Sequence, residues 1–328
     1  MNPVLRTVVA VLVLAMLSGE ATAAGTGFIE RTFEDEAGTH PYRVFVPAGY
    51  RADREWPVML FLHGAGERGT DGLLPVTVGL GPMIEAWGPD FPFIVVFPQC
   101  EAKRGRILEG WSPDGPNARR ALEILEQVES EFSTDPRRRV LTGWSMGGYG
   151  TWRVAAATPD LWSAVVLLAG GGEPELASRL TDVPVWVFHG ADDQVVLPER
   201  SRELVAALED AGATYAYTEI PDMGHNCWRP VYASPGVIEW MLNPQQPPGD
   251  GFGPDEEILA REVSHRRENF REALRIPGAV ALRIGPDALV AAGLGAASSV
   301  PEEWKHGRIG DIEESLEALG EQFALRMR

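Results

Sequence analysis

Short, unbroken apolar runs recur along the chain at 57–62 (Pro-Val-Met-Leu-Phe-Leu), 93–97, 165–169 and 183–188, a shorter one leads through 139–142 (Arg-Val-Leu-Thr), and a last strand-like stretch follows at 214–220. Runs of this length without polar alternation are what strands buried on both faces show. The intervals carry helical spacing instead. Residues 117–132 place Leu122, Leu125, Val128 and Phe132 on one face, with Asn117 as the expected N-cap. Residues 151–157, 198–211 and 231–242 also read as helices. This alternation predicts an α/β architecture, a mostly parallel central sheet with helices on both faces. Ahead of it, 27–33 and 42–46 flank the polar turn Glu34-Asp35-Glu36-Ala37-Gly38 and predict an antiparallel hairpin at the sheet edge.

The chemistry-bearing residues sit where these runs end. Val140-Leu141-Thr142 breaks into Gly143-Trp144-Ser145-Met146-Gly147, the pattern of a strand turning sharply into a helix with a serine at the tip. Small residues two before and two after that serine let strand and helix pass closely. Run 183–188 ends in His189-Gly190-Ala191-Asp192-Asp193, where the spacing to the following valines favours Asp193 over its neighbour Asp192 as an acid able to orient a histidine. Of six histidines, only His225 follows Ser145 and Asp193 within a loop that ends a core strand. These residues predict a nucleophile Ser145, a base His225 and an orienting acid Asp193. Run 57–62 ends in His63-Gly64-Ala65-Gly66-Glu67-Arg68-Gly69, a glycine-rich loop suited to donate a backbone N–H to an oxyanion from Ala65. Met146, next to the serine, is the expected second donor. His63 and His189 read as structural, and Glu67 with Arg68 as an ion pair bracing the loop.

A net charge of −18 opposes binding to nucleic-acid phosphate or an anionic membrane surface. Residues 1–23 read as a cleaved signal peptide: Arg6, an apolar stretch over 8–17, then Ala21-Thr22-Ala23. That stretch is short for a membrane span, so the mature chain is expected to be secreted or periplasmic. Cys100 and Cys227, the two cysteines, each lie beside an expected site loop. In an exported protein they are either one disulfide or two buried thiols. Trp111 and Trp228 lie in neighbouring loops and could wall a substrate cleft or simply pack there.

Residues Leu62-His63-Gly64-Ala65-Gly66-Glu67-Arg68-Gly69, Pro98-Gln99-Cys100, Gly143 to Gly148 and Gly224-His225-Asn226-Cys227-Trp228 together resemble the α/β-hydrolase superfamily. More narrowly, they resemble its secreted carboxylesterase group (phospholipase/carboxylesterase-like, predicted peptidase, polyhydroxybutyrate-depolymerase and feruloyl-esterase-like). The likeness covers about residues 28–242. It implies the α/β-hydrolase fold and acyl transfer through an acyl-enzyme. It implies a small-molecule or polymer-linked ester as substrate, and no metal or organic cofactor. A serine peptidase of the prolyl-oligopeptidase type shares the same three residues, but this chain has no long region ahead of the catalytic domain to form its propeller. A non-catalytic binding protein on the same scaffold is the third reading, against which the complete serine, acid and histidine set argues.

The catalytic domain is expected to span 24–242, followed by a Pro/Gly-rich linker over 243–254. In 255–328, Leu259, Val263, Phe270 and Leu274 mark one amphipathic helix. Ile312, Leu316, Leu319, Phe323 and Met327 mark another, opened by Asp311 and Glu314. A helical appendage that packs on the domain or mediates self-association is expected there.

Overall fold

The computed structural model describes residues 25–101 and 107–244. The expected signal peptide, nearly all of the linker and both tail helices lie outside them. Strands β1 (Gly27–Asp35), β2 (Gly38–Val46), β3 (Trp56–Leu62), β4 (Ile94–Phe97), β5 (Thr134–Trp144), β6 (Ala164–Leu168), β7 (Val185–Gly190) and β8 (Tyr215–Ile220) form one sheet. Its order is β1-β2-β4-β3-β5-β6-β7-β8. The β1–β2 hairpin is antiparallel and joins β4 antiparallel. Every other pairing is parallel. The sheet is therefore the one the apolar runs imply, with the hairpin at its edge.

Alternate residues of the central strands feed two cores. Val58, Leu60 and Leu62 point into one, beneath helices α2 (Pro116–Glu131), α3 (Met146–Ala157) and α4 (Glu199–Asp210). Met59 and Phe61 point into the other, beneath α1 (Leu80–Trp87), α5 (Trp228–Ala233) and α6 (Pro235–Leu242). Each large side chain buried this way contributes about 1.5–3 kcal/mol. All five parallel crossovers leave their loops at the carboxyl ends of the strands, which is where such sheets build sites.

Three local expectations change. Residues 231–242 are two helices, because Ser234 precedes Pro235 and is held extended at φ −82°, ψ 120°. Its hydroxyl donates to Pro230 O at 2.7 Å, closing the first helix. The cap of helix α2 lies two residues earlier than expected, at Gly115, with Pro116 at the first helical position. Asn117 is spent elsewhere, its Nδ2 donating to Gly110 O at 3.1 Å and to Cys100 Sγ at 3.2 Å. Helix α1 escaped the pattern reading because Gly81 and Pro82 occupy its first turn.

Cys100 and Cys227 are not bonded to each other. Cys100 belongs to the core beneath α2 and α3, and Cys227 to the core on the opposite face of the sheet. Neighbouring loops were a poor guide, because a strand-end loop can turn toward either face. The thermal unfolding midpoint should therefore be the same with and without a thiol reductant. A drop of more than a few degrees on reduction would reveal a bridge.

Candidate active site

Ser145 lies between the last residue of β5 and the first of α3, at φ 55° and ψ −123°. Positive φ costs a non-glycine residue, so the surroundings must hold it. The Ser145 N–H donates to Leu168 O at 3.0 Å, and Ser145 O accepts from Tyr149 N at 3.1 Å. The turn also needs Gly147. A Cβ there would sit 1.8 Å from Leu62 O and 2.8 Å from His63 O. Gly147→Ala should thus cost about 3 kcal/mol and lower the unfolding midpoint by roughly 6–12 °C. An unchanged midpoint in a thermal melt would contradict this contact.

The elbow meets two other strand ends. Ser145 Oγ is 2.9 Å from His225 Nε2, and His225 Nδ1 is 2.7 Å from Asp193 Oδ2. Asp193, 1% exposed, is surrounded by donors. Oδ1 accepts the Val195 and Val196 N–H groups at 2.8 and 3.0 Å, while Oδ2 also takes His189 Nε2 at 3.0 Å. Burial alone would raise this carboxyl. The charge of His225 and the bonds from both histidines outweigh it and hold it down at about 2. Asp193 is an anion at neutral pH, so His225 Nδ1 carries the proton and Nε2 is left to accept from the Ser145 hydroxyl. Asp192, by contrast, is exposed.

His189 is structural in the sense expected, and also orients the acid: its Nδ1 meets Ser201 Oγ at 2.7 Å and its Nε2 faces Val196 O at 2.8 Å. His63 ties two loops together. Its Nδ1–H donates to Gly64 O at 2.6 Å, and its Nε2 accepts the Cys100 N–H at 2.9 Å. Full burial lowers its pKa to about 4, so the ring stays neutral.

The loop after β3 turns through a 3-10 segment, Ala65–Glu67, capped by Gly64. Ala65 and Met146 are each the first residue of a helical segment, where the N–H has no carbonyl partner in its own helix. The expected Glu67–Arg68 pair does not form. Arg68 Nε donates to Ala65 O at 2.9 Å, and Glu67 turns inward to 6% exposure. Gln99 holds the far side, its Nε2 donating to Glu67 O at 2.9 Å and its Oε1 accepting the Gly72 N–H at 2.7 Å.

Of the two tryptophans read as a cleft wall, Trp111 cannot serve. It is 0% exposed beneath the loop, with its indole N–H on His63 O at 3.0 Å. Trp228, 8% exposed, packs on Trp144 with ring centroids 3.9 Å apart, and Trp144 lies 5.7 Å from the His225 ring. The aromatic neighbour of the site is thus a Trp144–Trp228 pair. Trp144 directly precedes the serine, at a position that the Gly-x-Ser-x-Gly pattern leaves unspecified. Among the described residues, no group of three or more His, Cys, Asp or Glu side chains could hold a metal ion, and no helix is long and apolar enough to cross a membrane.

Residues 38–207 match the family model Esterase, described as "Putative esterase". Over 163 residues the chain is 27% identical to "Carboxylesterase SOBER1" of Arabidopsis thaliana, covering 46% of this chain and 65% of that one. It is 26% identical to "Probable feruloyl esterase C" of Aspergillus terreus, covering 47% and 55%. The chain therefore spans less than two thirds of the length of these curated relatives. Among solved structures, a thermostable esterase is 34% identical, with 65% of this chain and 62% of that one covered and a TM-score of 0.58. The feruloyl esterase module of Clostridium thermocellum, solved as its S954A mutant with sinapinate, shares the fold at 16% identity and a TM-score of 0.52, covering 66% and 88%.

Proposed function

From the premise that the chain belongs to the esterase family and has the α/β-hydrolase fold, we propose that it hydrolyses carboxylic esters through Ser145, His225 and Asp193 and a covalent acyl-enzyme. The observation that carries this is the continuous relay from Ser145 Oγ through both nitrogens of His225 to Asp193, at 2.9 and 2.7 Å. His225 Nε2 takes the hydroxyl proton as Ser145 Oγ attacks the ester carbonyl. Asp193 stabilises the imidazolium that results. The Ala65 and Met146 N–H groups receive the oxyanion. His225 then returns the proton to the leaving alcohol, and water repeats the sequence on the acyl-enzyme.

In this reading the 24–242 unit is the catalytic domain, residues 1–23 direct export, and the 255–328 tail packs on it or brings copies together. The Trp144–Trp228 pair favours esters with an aromatic acyl or alcohol group.

The test is hydrolysis by the full chain of a panel of short-chain p-nitrophenyl esters, a feruloyl ester and a prolyl p-nitroanilide, with Ser145→Ala as the blank. Ester turnover that vanishes in the blank supports the proposal. Cleavage of the anilide alone would replace it with a peptidase, and silence across the panel would point to a binding protein.

A further inference from the structure

Asp193 orients His225, and a chain of buried side chains behind Asp193 orients the acid in turn. The backbone of its loop is fixed independently of them. The Asp192 N–H donates to Met223 O at 2.8 Å, and a Cβ on Gly190 would stand 2.2 Å from Gly224 O, so the end of β7 is locked against the loop that carries His225. That contact places the loop but leaves the carboxyl able to turn about its own bond. Oδ1 is anchored by the Val195 and Val196 N–H groups. Oδ2, which faces His225 Nδ1 at 2.7 Å, has one further side-chain partner among the described residues, His189 Nε2 at 3.0 Å.

The proton on the His189 ring follows from its neighbours. Nε2 faces two groups that can only accept, the Asp193 carboxylate and Val196 O at 2.8 Å, so it carries the hydrogen. Nδ1 is then left to accept, and before it stands Ser201 Oγ at 2.7 Å. Ser201, in the first turn of α4, has a second acceptor in Gly170 O, but that oxygen is farther away at 3.3 Å. The hydroxyl hydrogen goes to the nearer one. His189 and Ser201 are both fully buried, so water does not compete for these bonds.

We propose that His189 and Ser201 are positioning residues for ester cleavage: the His189 Nε2–H pins Asp193 Oδ2 toward His225, and the Ser201 hydroxyl holds the His189 ring in the orientation and tautomer that can do so. The inference rests on the reading of Ser145, His225 and Asp193 as the catalytic set. It extends the relay from the nucleophile, through both histidines, to helix α4. The two bonds of Nε2 have separate uses. The one to Val196 O braces the loop, whereas the one to Asp193 serves the reaction, because a carboxylate that swings by about 1 Å no longer meets Nδ1, and a misplacement of that size costs on the order of 10²-fold in rate.

Two amides divide the ring between them. His189→Gln puts an N–H donor near the place of Nε2, while His189→Asn puts an acceptor near the place of Nδ1 and does not reach Asp193. The experiment is kcat and KM for ester hydrolysis by the full chain, both amide variants and Ser201→Ala, with Ser145→Ala alongside and a thermal melt of each. His189→Asn should lose kcat by roughly 10- to 100-fold with KM nearly unchanged, His189→Gln should recover it to within about fivefold of the parent, and Ser201→Ala should lose about 3- to 10-fold. An undiminished kcat in His189→Asn, a loss that falls on KM instead, or a His189→Gln as slow as His189→Asn overturns the proposal, since a ring needed only for packing would not tell the two amides apart. If His189→Asn does not fold, Ser201→Ala decides: a loss confined to kcat supports the proposal and a full kcat overturns it. Ester turnover surviving in Ser145→Ala is a different failure and strikes the underlying reading instead.

Discussion

Ester hydrolysis by Ser145→Ala is expected to fall by about 10⁴- to 10⁶-fold, while the chain still folds. The substitution removes the attacking oxygen and nothing else of size. The Ala65 and Met146 N–H groups and the aromatic pair stay in place, so a residue of catalysis above water survives. Stability changes little. The strained φ of 55° is retained, because alanine pays the same steric penalty as serine there. The buried Nε2 of His225 loses its 2.9 Å partner, which costs on the order of 1 kcal/mol, or a midpoint shift of roughly 2–4 °C. Comparable kcat in the variant and the parent would remove Ser145 from the mechanism. Loss of activity accompanied by loss of the cooperative melt would mean that the variant tested folding and not chemistry.

Asp193→Asn should lower kcat by about 10⁴-fold, with a measurable loss of stability as well. An amide offers one acceptor and one donor where the carboxylate offers acceptors on both sides. Neither orientation fits. With its oxygen kept on the Val195 and Val196 N–H groups, the NH₂ points at His225 Nδ1 and His189 Nε2. His225 must then accept at Nδ1 and carry its proton on Nε2, which disarms it as a base toward Ser145. With the amide flipped, the two backbone donors are orphaned, at about 1–3 kcal/mol each. Steady-state kinetics well below the melting midpoint separate the two effects, and a kcat within tenfold of the parent would show that the tautomer is held by something other than Asp193. The same carboxylate gives the fold an acid sensitivity. Its folded pKa of about 2 lies below the ordinary aspartate value of about 3.9, so the stability it contributes is present above that ordinary value and is lost as pH falls toward 2.

Much of this molecule is legible in one dimension because burial writes itself into local sequence. A strand covered on both faces must be apolar at every position, so β3 through β7 announce themselves as runs. A serine held at positive φ between a strand and a helix needs small residues at fixed offsets, so Gly143, Ser145 and Gly147 form a readable string. Asp193 and His225 follow from order along the chain once a parallel sheet is assumed, since its strand ends all open on one side.

What tertiary structure decided concerns direction and partnership, which no local pattern encodes. Cys100 and Cys227 both border the site in sequence, yet the face toward which each loop turns puts them in separate cores. Trp111 and Trp228 are equally aromatic and equally close to motif residues. Only the packing of the loop over His63 buries the first completely, and only the start of α5 sets the second against Trp144. Glu67 looks like half of an adjacent ion pair. The tight turn from Gly64 buries its side chain, while Arg68 swings back to donate its Nε to the Ala65 carbonyl. Sequence thus determined which residues could do the chemistry, and the fold determined which side chains surround them.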